Sequence, residues 1–160
     1  MKGQIAGQVF IYIMAVVVIG GIAIIGYGAI TKITAKSCQA EKASFNNDIE
    51  GLIEKYTSYG SLNKKTIKVP CDYDTICFIE TSKIGGSITC SNSIIKDSAA
   101  SGSQQNIFVI SNKATIPIGY SDLISLNASD SGKCLCIKQR NKNFYITFNG
   151  KGSTTELSAG

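Results

Sequence analysis

Cysteine is the residue type with the most distinctive chemistry in this chain, which contains six cysteines and no histidine. The cysteines are Cys38, Cys71, Cys77, Cys90, Cys134 and Cys136. An even number of cysteines in a short chain that also has a membrane or export segment is typical of a disulfide framework. Structural zinc sites favour two tight pairs of ligands, and the spacings here fit that pattern poorly. The sequence therefore predicts disulfides, with zinc ligation and free buried thiols as the alternatives.

The pairing of these cysteines is only partly restricted by their spacing. Cys134 and Cys136 would face the same side of a strand, but a bridge between them would close a very tight ring. We therefore expect these two residues to bond to separate partners. A bridge between Cys71 and Cys77 is geometrically easy, and beyond that the pairing stays open.

Patterns that indicate catalysis are missing from the sequence. It has no Gly-rich phosphate loop, calcium loop or nucleophile elbow. Its serines have no histidine that could act as a general base. Asp72 and Asp74 alternate beside Cys71 and form a candidate cation site, although two solvated carboxylates are the simpler interpretation. We expect a protein that is not an enzyme, with no cofactor and no bound metal.

Two local patterns concern the surface. The tightest basic cluster, Lys138-Gln139-Arg140-Asn141-Lys142, is better explained by a solvated turn than by a nucleic-acid interface. With a formal net charge of only +5 and scattered lysines, no nucleic-acid partner is expected. Asn127-Ala128-Ser129 matches the N-glycosylation pattern, which makes Asn127 a candidate acceptor in a surface loop.

An uninterrupted apolar segment runs from Val9 to Ile30, with no charged side chain between Lys2 and Lys32. As a helix rising ~1.5 Å per residue, it spans about 33 Å, close to the thickness of a bilayer's hydrocarbon core. It is longer than the apolar core of a secretory signal peptide, and no standard cleavage site follows it directly. The segment is predicted to lie in lipid or to be buried by like segments from other copies.

Four glycines inside this segment favour burial against other helices. In lipid each glycine loses backbone entropy without gaining contacts, whereas small residues let helix backbones approach closely. Gly-x-x-x-Gly spacing does not occur among them, so a specific two-helix dimer motif is not indicated. Tyr12 and Tyr27 lie near the two ends and also suit an interfacial aromatic belt. The predicted assembly residues of this helix are Gln8, Phe10, Tyr12, Gly20, Gly21, Gly26 and Gly28.

The sequence predicts an α+β protein, in which a long N-terminal apolar α-helix (about residues 4–59) precedes a small antiparallel β head with disulfides. The helix comprises an apolar part, residues 4–31, and an amphipathic continuation, residues 32–60, where Gly60 is a natural stop. The head, residues 61–160, has predicted strands at Thr66–Val69, Ile76–Glu80, Ser87–Cys90, Ile107–Ser111, Lys133–Lys138 and Phe144–Phe148. Hairpin turns are expected at Lys83–Ser87 and Arg140–Asn143, a loop at Ser98–Gln105, and a short helix or turn at Ser121–Leu126. The stretch Gly150–Gly160 is expected to fray unless Thr154–Leu157 adds an edge strand.

The first residues, Lys2-Gly3-Gln4-Ile5-Ala6-Gly7-Gln8-Val9-Phe10, run straight into the apolar helix. This pattern resembles the class III signal region of archaeal type IV pilin-like proteins. In that family a prepilin peptidase removes a short basic leader ending in glycine, and the apolar helix then packs in a filament core. The resemblance implies a leader of residues 1–3, cleavage between Gly3 and Gln4, and Gln8 at the usual glutamate position. Gln8 is uncharged and Ala6 stands where serine is common, so an uncut chain is the alternative.

A second resemblance covers most of the chain. The Tyr59-Gly60-Ser61 turn, the segment from Val69 to Phe78 and the later Gly150-Lys151-Gly152 are similar to those of small membrane-anchored surface proteins of small-genome archaea. This resemblance implies a location at the cell surface and no particular activity.

Three functions follow as hypotheses. The first is a structural subunit of an extracellular pilus-like filament, with identical chains as partners, the membrane as its site before assembly, and adhesion to a host or neighbouring cell as an extension. The alternative is a single-span surface binding protein with an extracellular disulfide-stapled head. A third is an accessory membrane subunit whose head lies inside the cell. Lys32 and Lys36 after the span favour this last orientation slightly, but the cysteines argue against it.

Overall fold

A computed structural model describes residues 4–112, 114–127 and 132–160. The chain divides into two units, Met1–Ala40 and Glu41–Gly160, and helix α1 (Gln4–Lys55) contributes residues to both. The predicted α+β class, with a long apolar helix before a β head, is confirmed. Helix α1 ends at Lys55, four residues earlier than Tyr59. It ends there because the Thr57 hydroxyl donates a hydrogen bond to the Glu54 carbonyl at 3.0 Å. This bond satisfies a carbonyl group of the last turn.

The second unit, called the head below, contains two sheets in its described residues. The strands are β1 (Leu62–Lys68), β2 (Tyr73–Ile79), β3 (Ile107–Ser111), β4 (Thr115–Gly119), β5 (Ile124–Leu126), β6 (Cys134–Lys138), β7 (Asn143–Gly150) and β8 (Thr155–Ala159). Sheet A has the order β1-β7-β8-β5, and sheet B has the order β4-β3-β2-β6. Neighbouring strands are antiparallel except for the parallel pair β5 and β8. A 3-10 turn (Thr81–Lys83) and helix α2 (Ser93–Ala100) connect β2 to β3.

Sheet B has a hydrophobic cluster on each face. Since successive strand residues point to opposite faces, Ile76 and Phe78 of β2 join the main core, whereas Cys77 and Ile79 join a second cluster under α2. The main core also contains apolar residues of sheet A and of the last turns of α1. There the Phe45 ring lies 5.8 Å from the Tyr73 ring and 5.9 Å from the Phe144 ring, measured between centroids. These contacts fix the final turns of α1 to the sheets of the head.

Most predicted strands are confirmed, and one is wrong. Strands β1, β2, β3, β6 and β7 coincide with predicted segments, although β1 starts four residues before Thr66. The segment Ser87–Cys90 forms only an isolated bridge between Thr89 and Lys133. A disulfide from Cys90 holds it beside β6, and the chain then enters α2. The turn expected at Lys83–Ser87 is present, with Gly85 at φ +81°, but it follows a 3-10 turn instead of joining two paired strands.

Three further segments differ from the predictions. The loop expected from Ser98 begins inside α2, which the Asn92 side chain caps by accepting hydrogen bonds from the backbone N–H of Ile94 and Ile95. Ser121–Leu126 contains strand β5 and is not a helix. The segment Thr154–Leu157 enters β8 at Thr155, and this strand lies between β7 and β5 and is therefore an inner strand. Its Thr155 and Leu157 side chains are fully buried, and this burial overrides the polar local sequence.

Three of the four outer strands have features that oppose pairing with another chain. Strand β1 contains Lys64, Lys65 and Lys68, and β4 contains Pro117. Strand β5 has only three residues. Charge, proline and short length each hinder the addition of a further strand at a sheet edge.

Asn106 is a fully buried polar residue that holds two loops to the start of β3. Its amide nitrogen donates to the Ser121 carbonyl at 2.7 Å and to the Thr81 hydroxyl at 3.2 Å. Its amide oxygen accepts from the Ser121 N–H at 2.9 Å. Every polar atom of this side chain is therefore satisfied within the protein.

Asn106→Leu is expected to lower the free energy of unfolding by about 3 kcal/mol, because it leaves the Ser121 backbone groups without their buried partner. Denaturant unfolding followed by circular dichroism measures this change. Asn47→Leu, on the exposed surface of α1, is the control and should change the free energy by less than about 0.5 kcal/mol. Equal effects of the two substitutions would contradict this role for Asn106.

Candidate functional site

The first candidate site is the apolar surface of α1 in the first unit. The large apolar side chains from Val9 to Ile33 are exposed, from 49% at Met14 to 77% at Ile24, on every side of the helix. By length and composition, α1 is a helix that could cross a membrane, and the described residues contain one such helix. A helix that is apolar all round requires lipid or other helices as its surroundings. Nearby, the Thr34 hydroxyl donates to the Ile30 carbonyl at 2.9 Å, which satisfies this polar group within the helix.

The glycines of this surface have no explanation within the chain itself. Beyond the chain neighbours and the backbone of the adjoining helical turns, a methyl group on Gly20, Gly21, Gly26 or Gly28 would meet no described atom within 4 Å. Each interior glycine lowers helix stability by roughly 0.5–1 kcal/mol relative to alanine. The four positions therefore weaken the helix without improving its internal packing.

The other predicted assembly residues are placed only in part. Phe10 and Tyr12 are exposed on α1, at 64% and 70%, and Tyr27 is exposed as well. Gly3 and the side chain of Gln8 lie outside the described residues, and Gln4 is the first residue of α1. The predicted cleavage between Gly3 and Gln4 therefore stays a prediction.

Disulfide formation by the cysteines is confirmed. Cys77 pairs with Cys136, and Cys90 pairs with Cys134. Cys38 and Cys71 are disulfide-bonded as well, and the described residues include no free cysteine. Cys134 and Cys136 bond to separate partners, as predicted. The bridge considered between Cys71 and Cys77 is wrong, because Cys77 lies directly opposite Cys136 in the β2–β6 register.

The two located disulfides lie side by side on the outer face of sheet B. The Cys134 and Cys136 sulfur atoms are 3.8 Å apart, since both side chains point to the same face of β6. Cys77 is fully buried, whereas Cys90 and Cys134 are half-buried and Cys136 is exposed. The bridges fasten the irregular segment before α2 to β6, and β6 to β2. Bridges of this kind are typical of an oxidising environment.

Asp72 and Asp74 contact protein groups and do not converge on one point. Asp72 forms an ion pair with the Lys42 amino group at 2.8 Å. Asp74 accepts a hydrogen bond from the Gln139 side chain at 3.4 Å. The Lys42 amino group also lies 4.9 Å from the centre of the Tyr73 ring. These contacts explain both carboxylates as parts of the head's own packing.

Lys42 and Tyr73 make the stability of the head depend on pH in the alkaline range. The hydrogen bond to Asp72 raises the pKa of Lys42 against the opposing effect of burial, and burial raises the pKa of the Tyr73 hydroxyl. A raised pKa stabilises the fold while the group is protonated, and this contribution disappears as the pH rises through the folded-state pKa. The free energy of unfolding should therefore fall above about pH 10. Tyr73→Phe, which cannot ionise, should flatten this fall in alkaline unfolding curves, and identical slopes would contradict the assignment.

A groove beside β1 was not anticipated from the sequence. Two cavities of about 190 and 430 Å³ lie between the final turns of α1 and this edge strand. Both are lined by Asp48, Ile67 and Lys68, so the groove has an apolar floor and charged sides. The sequence identifies Asp48 as part of the polar face of the helix, but it does not reveal that β1 lies alongside. The groove is a second candidate site, suited to a segment with both apolar and charged groups.

The basic cluster at residues 138–142 and the glycosylation pattern at Asn127 are the two surface patterns predicted from the sequence. The turn predicted at Arg140–Asn143 is present, with both central residues, Asn141 and Lys142, at positive φ. It connects sheet B to sheet A, which explains the basic cluster as a solvated turn. Asn127 is half-buried and is itself described, but the remainder of its glycosylation pattern lies outside the described residues.

No known protein family, curated protein or solved structure matches this chain. What the structure supports directly is a helix suited to membrane insertion and a head with disulfides typical of an oxidising, extracellular environment.

Proposed function

We propose that this protein is a structural subunit of an extracellular pilus-like filament. Identical chains assemble by burying their apolar N-terminal helices against one another, and the β heads lie on the outside. The chain is inserted in the membrane before it assembles. The polymer is a heterologous, non-closing arrangement, in which each chain presents different surfaces to its two neighbours.

The observation that carries this proposal is the combination of exposed apolar side chains and glycines on one helical segment. Exposed apolar side chains alone suit lipid as well as they suit protein. The glycines distinguish the two environments, because lipid chains gain nothing from a missing side chain, whereas a neighbouring helix can then approach closely. Their total effect on the isolated helix, roughly 2–4 kcal/mol, is offset only if other helices contact these positions.

The disulfides support an external location for the head. Four bridged cysteines on sheet B and its neighbouring segment, together with the bridged Cys38 and Cys71, would be reduced in most cytosols. The third hypothesis, an accessory membrane subunit with an internal head, is therefore not favoured. Alkylation of the folded protein distinguishes the locations, because an internal head would give freely alkylated thiols.

Photo-crosslinking combined with electron microscopy tests the filament. A photo-reactive amino acid at Ile22, exposed beside Gly21, should join α1 helices of separate chains into a ladder of covalent multimers. Negative-stain images of the exported protein should show fibres. Crosslinks to lipid alone, with heads distributed singly on membranes, would overturn the proposal.

The groove beside β1 favours one alternative, a membrane-anchored surface protein whose head binds a partner. Its charged residues Asp48 and Lys68 flank the apolar floor at Ile67, which suits a mixed polar and apolar ligand. This function predicts that surface binding survives when assembly is blocked. Cell-binding assays with Asp48→Lys and with the helix variant Gly21→Leu separate the two functions.

The resemblance to pilin-like signal regions adds a proposal about processing. Cleavage between Gly3 and Gln4 would leave Gln8 near the new N-terminus, where its side chain could hydrogen-bond the terminal amine of a neighbouring subunit. N-terminal sequencing of protein recovered from fibres tests this directly. A mature chain that still begins at Met1 would exclude peptidase processing, but not assembly.

A further inference from the structure

Four cysteines form one group of sulfur atoms on the outer face of sheet B. The sulfur atoms of Cys90, Cys134 and Cys136 all lie within 4.8 Å of one another. The Cys77 sulfur is not one of these three, but it is bonded to the Cys136 sulfur and therefore adjoins them. The backbone holds the four residues close even without the bridges, because Cys77 faces Cys136 in the strand register and Thr89 pairs with Lys133 next to Cys90.

One spacing among these atoms matches that of a tetrahedral metal site. Zinc–sulfur bonds of about 2.3 Å in a tetrahedron place neighbouring sulfur atoms about 3.8 Å apart. The Cys134 and Cys136 sulfur atoms are already 3.8 Å apart without being bonded to each other. Cys77 and Cys90 approach from β2 and from the segment before α2, so the ligands come from three separate pieces of chain.

The surroundings also suit a metal–thiolate centre. One side of the group is closed by the buried apolar residues Ile79, Ile88, Ile95 and Phe108. The other side is open to solvent at Cys136, which provides an entry path. Four sulfur ligands in tetrahedral geometry select zinc over calcium or magnesium, which require oxygen ligands.

We infer that, while its cysteines are thiols, the head binds one Zn²⁺ through the sulfur atoms of Cys77, Cys90, Cys134 and Cys136. The state concerned is the chain before its bridges form. As four sulfur–zinc bonds form, the four thiols release their protons to the solvent. This inference does not depend on filament assembly, since the site lies entirely within one head.

The full chain in detergent micelles allows a direct test. A phosphine reduces each bridge together with one water molecule and gives two thiols and the phosphine oxide. Titration with Co²⁺, a spectroscopic substitute for zinc, should then give the visible absorption of a tetrahedral tetrathiolate at one Co²⁺ per chain. Added Zn²⁺ should displace the cobalt and remove this absorption. Absence of the absorption, whether the reduced head is folded or unfolded, would overturn the inference.

Matched variants locate the site. Cys90→Ser should weaken Co²⁺ binding by more than the roughly 10- to 100-fold that loss of an outer-shell partner causes. The double variant Cys38→Ser/Cys71→Ser removes two cysteines outside the group and should retain the tetrathiolate absorption. Retention of the absorption by Cys90→Ser, or its loss in the double variant, would show that the thiols bind metal without a defined site, and would overturn the inference.

Discussion

Gly21→Leu should reduce the yield of polymer at least roughly tenfold while leaving the head folded. In the proposed filament a second helix backbone approaches Gly21, and a leucine side chain would occupy the space that this approach needs. Overpacking of a close contact costs about 1–3 kcal/mol, and 1.4 kcal/mol already corresponds to a tenfold change in an association constant. Sedimentation of fibres, with counting in electron micrographs, measures the yield.

Two controls make this result specific to assembly. Ile22→Leu alters the neighbouring exposed position with little change in volume and should leave the yield unchanged. Membrane insertion of Gly21→Leu should be undiminished, because leucine is more apolar than glycine. Intact disulfides on non-reducing gels report that the head has folded. Wild-type fibre yield from Gly21→Leu would mean that no helix contacts this position. The proposal of a filament would then lose its main supporting observation.

Gly150→Ala should lower the free energy of unfolding of the head by at least about 3 kcal/mol. Gly150 is buried, and an added methyl group would meet the backbone carbonyl oxygens of Ser58 and Tyr56, the latter at 2.6 Å, and the Ser61 hydroxyl. Its N–H donates to the Ser61 carbonyl at 2.8 Å, and its own carbonyl accepts from the Gly60 N–H at 3.2 Å. Because two of these three atoms belong to the backbone, rotation of the Ser61 side chain alone cannot make room for the methyl group.

A second glycine provides the matched control for this substitution. Gly51 lies on the exposed surface of α1, and a methyl group there would meet no described atom within 4 Å. Gly51→Ala should raise the free energy of unfolding by about 0.5–1 kcal/mol, since alanine favours the helix. Denaturant unfolding of both variants gives the comparison. A mild effect at Gly150 would mean that the connection between α1 and β1 can shift away from β7.

The long elements were predictable because their patterns extend over many residues. The uncharged run before Lys32 and the apolar residues Phe45, Ile49 and Ile53 at helical spacing determine α1, whatever surrounds it. Strand β7 was predictable from its β-branched and aromatic residues. The stretch that contains β8 was expected to fray unless Thr154–Leu157 added an edge strand, because its local sequence is polar. Strand β8 is an inner strand because Thr155 donates to the Ile53 carbonyl at 2.6 Å and Leu157 enters the core, contacts that a local pattern does not contain.

The candidate sites divide in the same way. The cysteines can be recognised in the sequence, and their tendency to form disulfides was predictable. The apolar helix can be recognised in the same way, and the exposure of its side chains within a single chain was predictable. Which cysteines pair depends on the β2–β6 register and on the bridge at Thr89, which join residues far apart in the chain. Helix α2 shows a signal that could have been used, since Asn92 precedes Ile95 and Ala99 at the spacing of a capped, one-sided helix.

The outer strands of the head have a consequence for any arrangement in which many chains stand side by side. Tethering at high density raises the effective concentration of each head for its neighbours to the millimolar range, where exposed sheet edges would fuse into continuous β-structure. The lysines of β1 repel a second copy of the same edge, and Pro117 withholds a donor from any strand that approaches β4. In the proposed filament, crowded heads are therefore hindered from pairing through these two edges, so the order of the array would have to be set elsewhere along the chain.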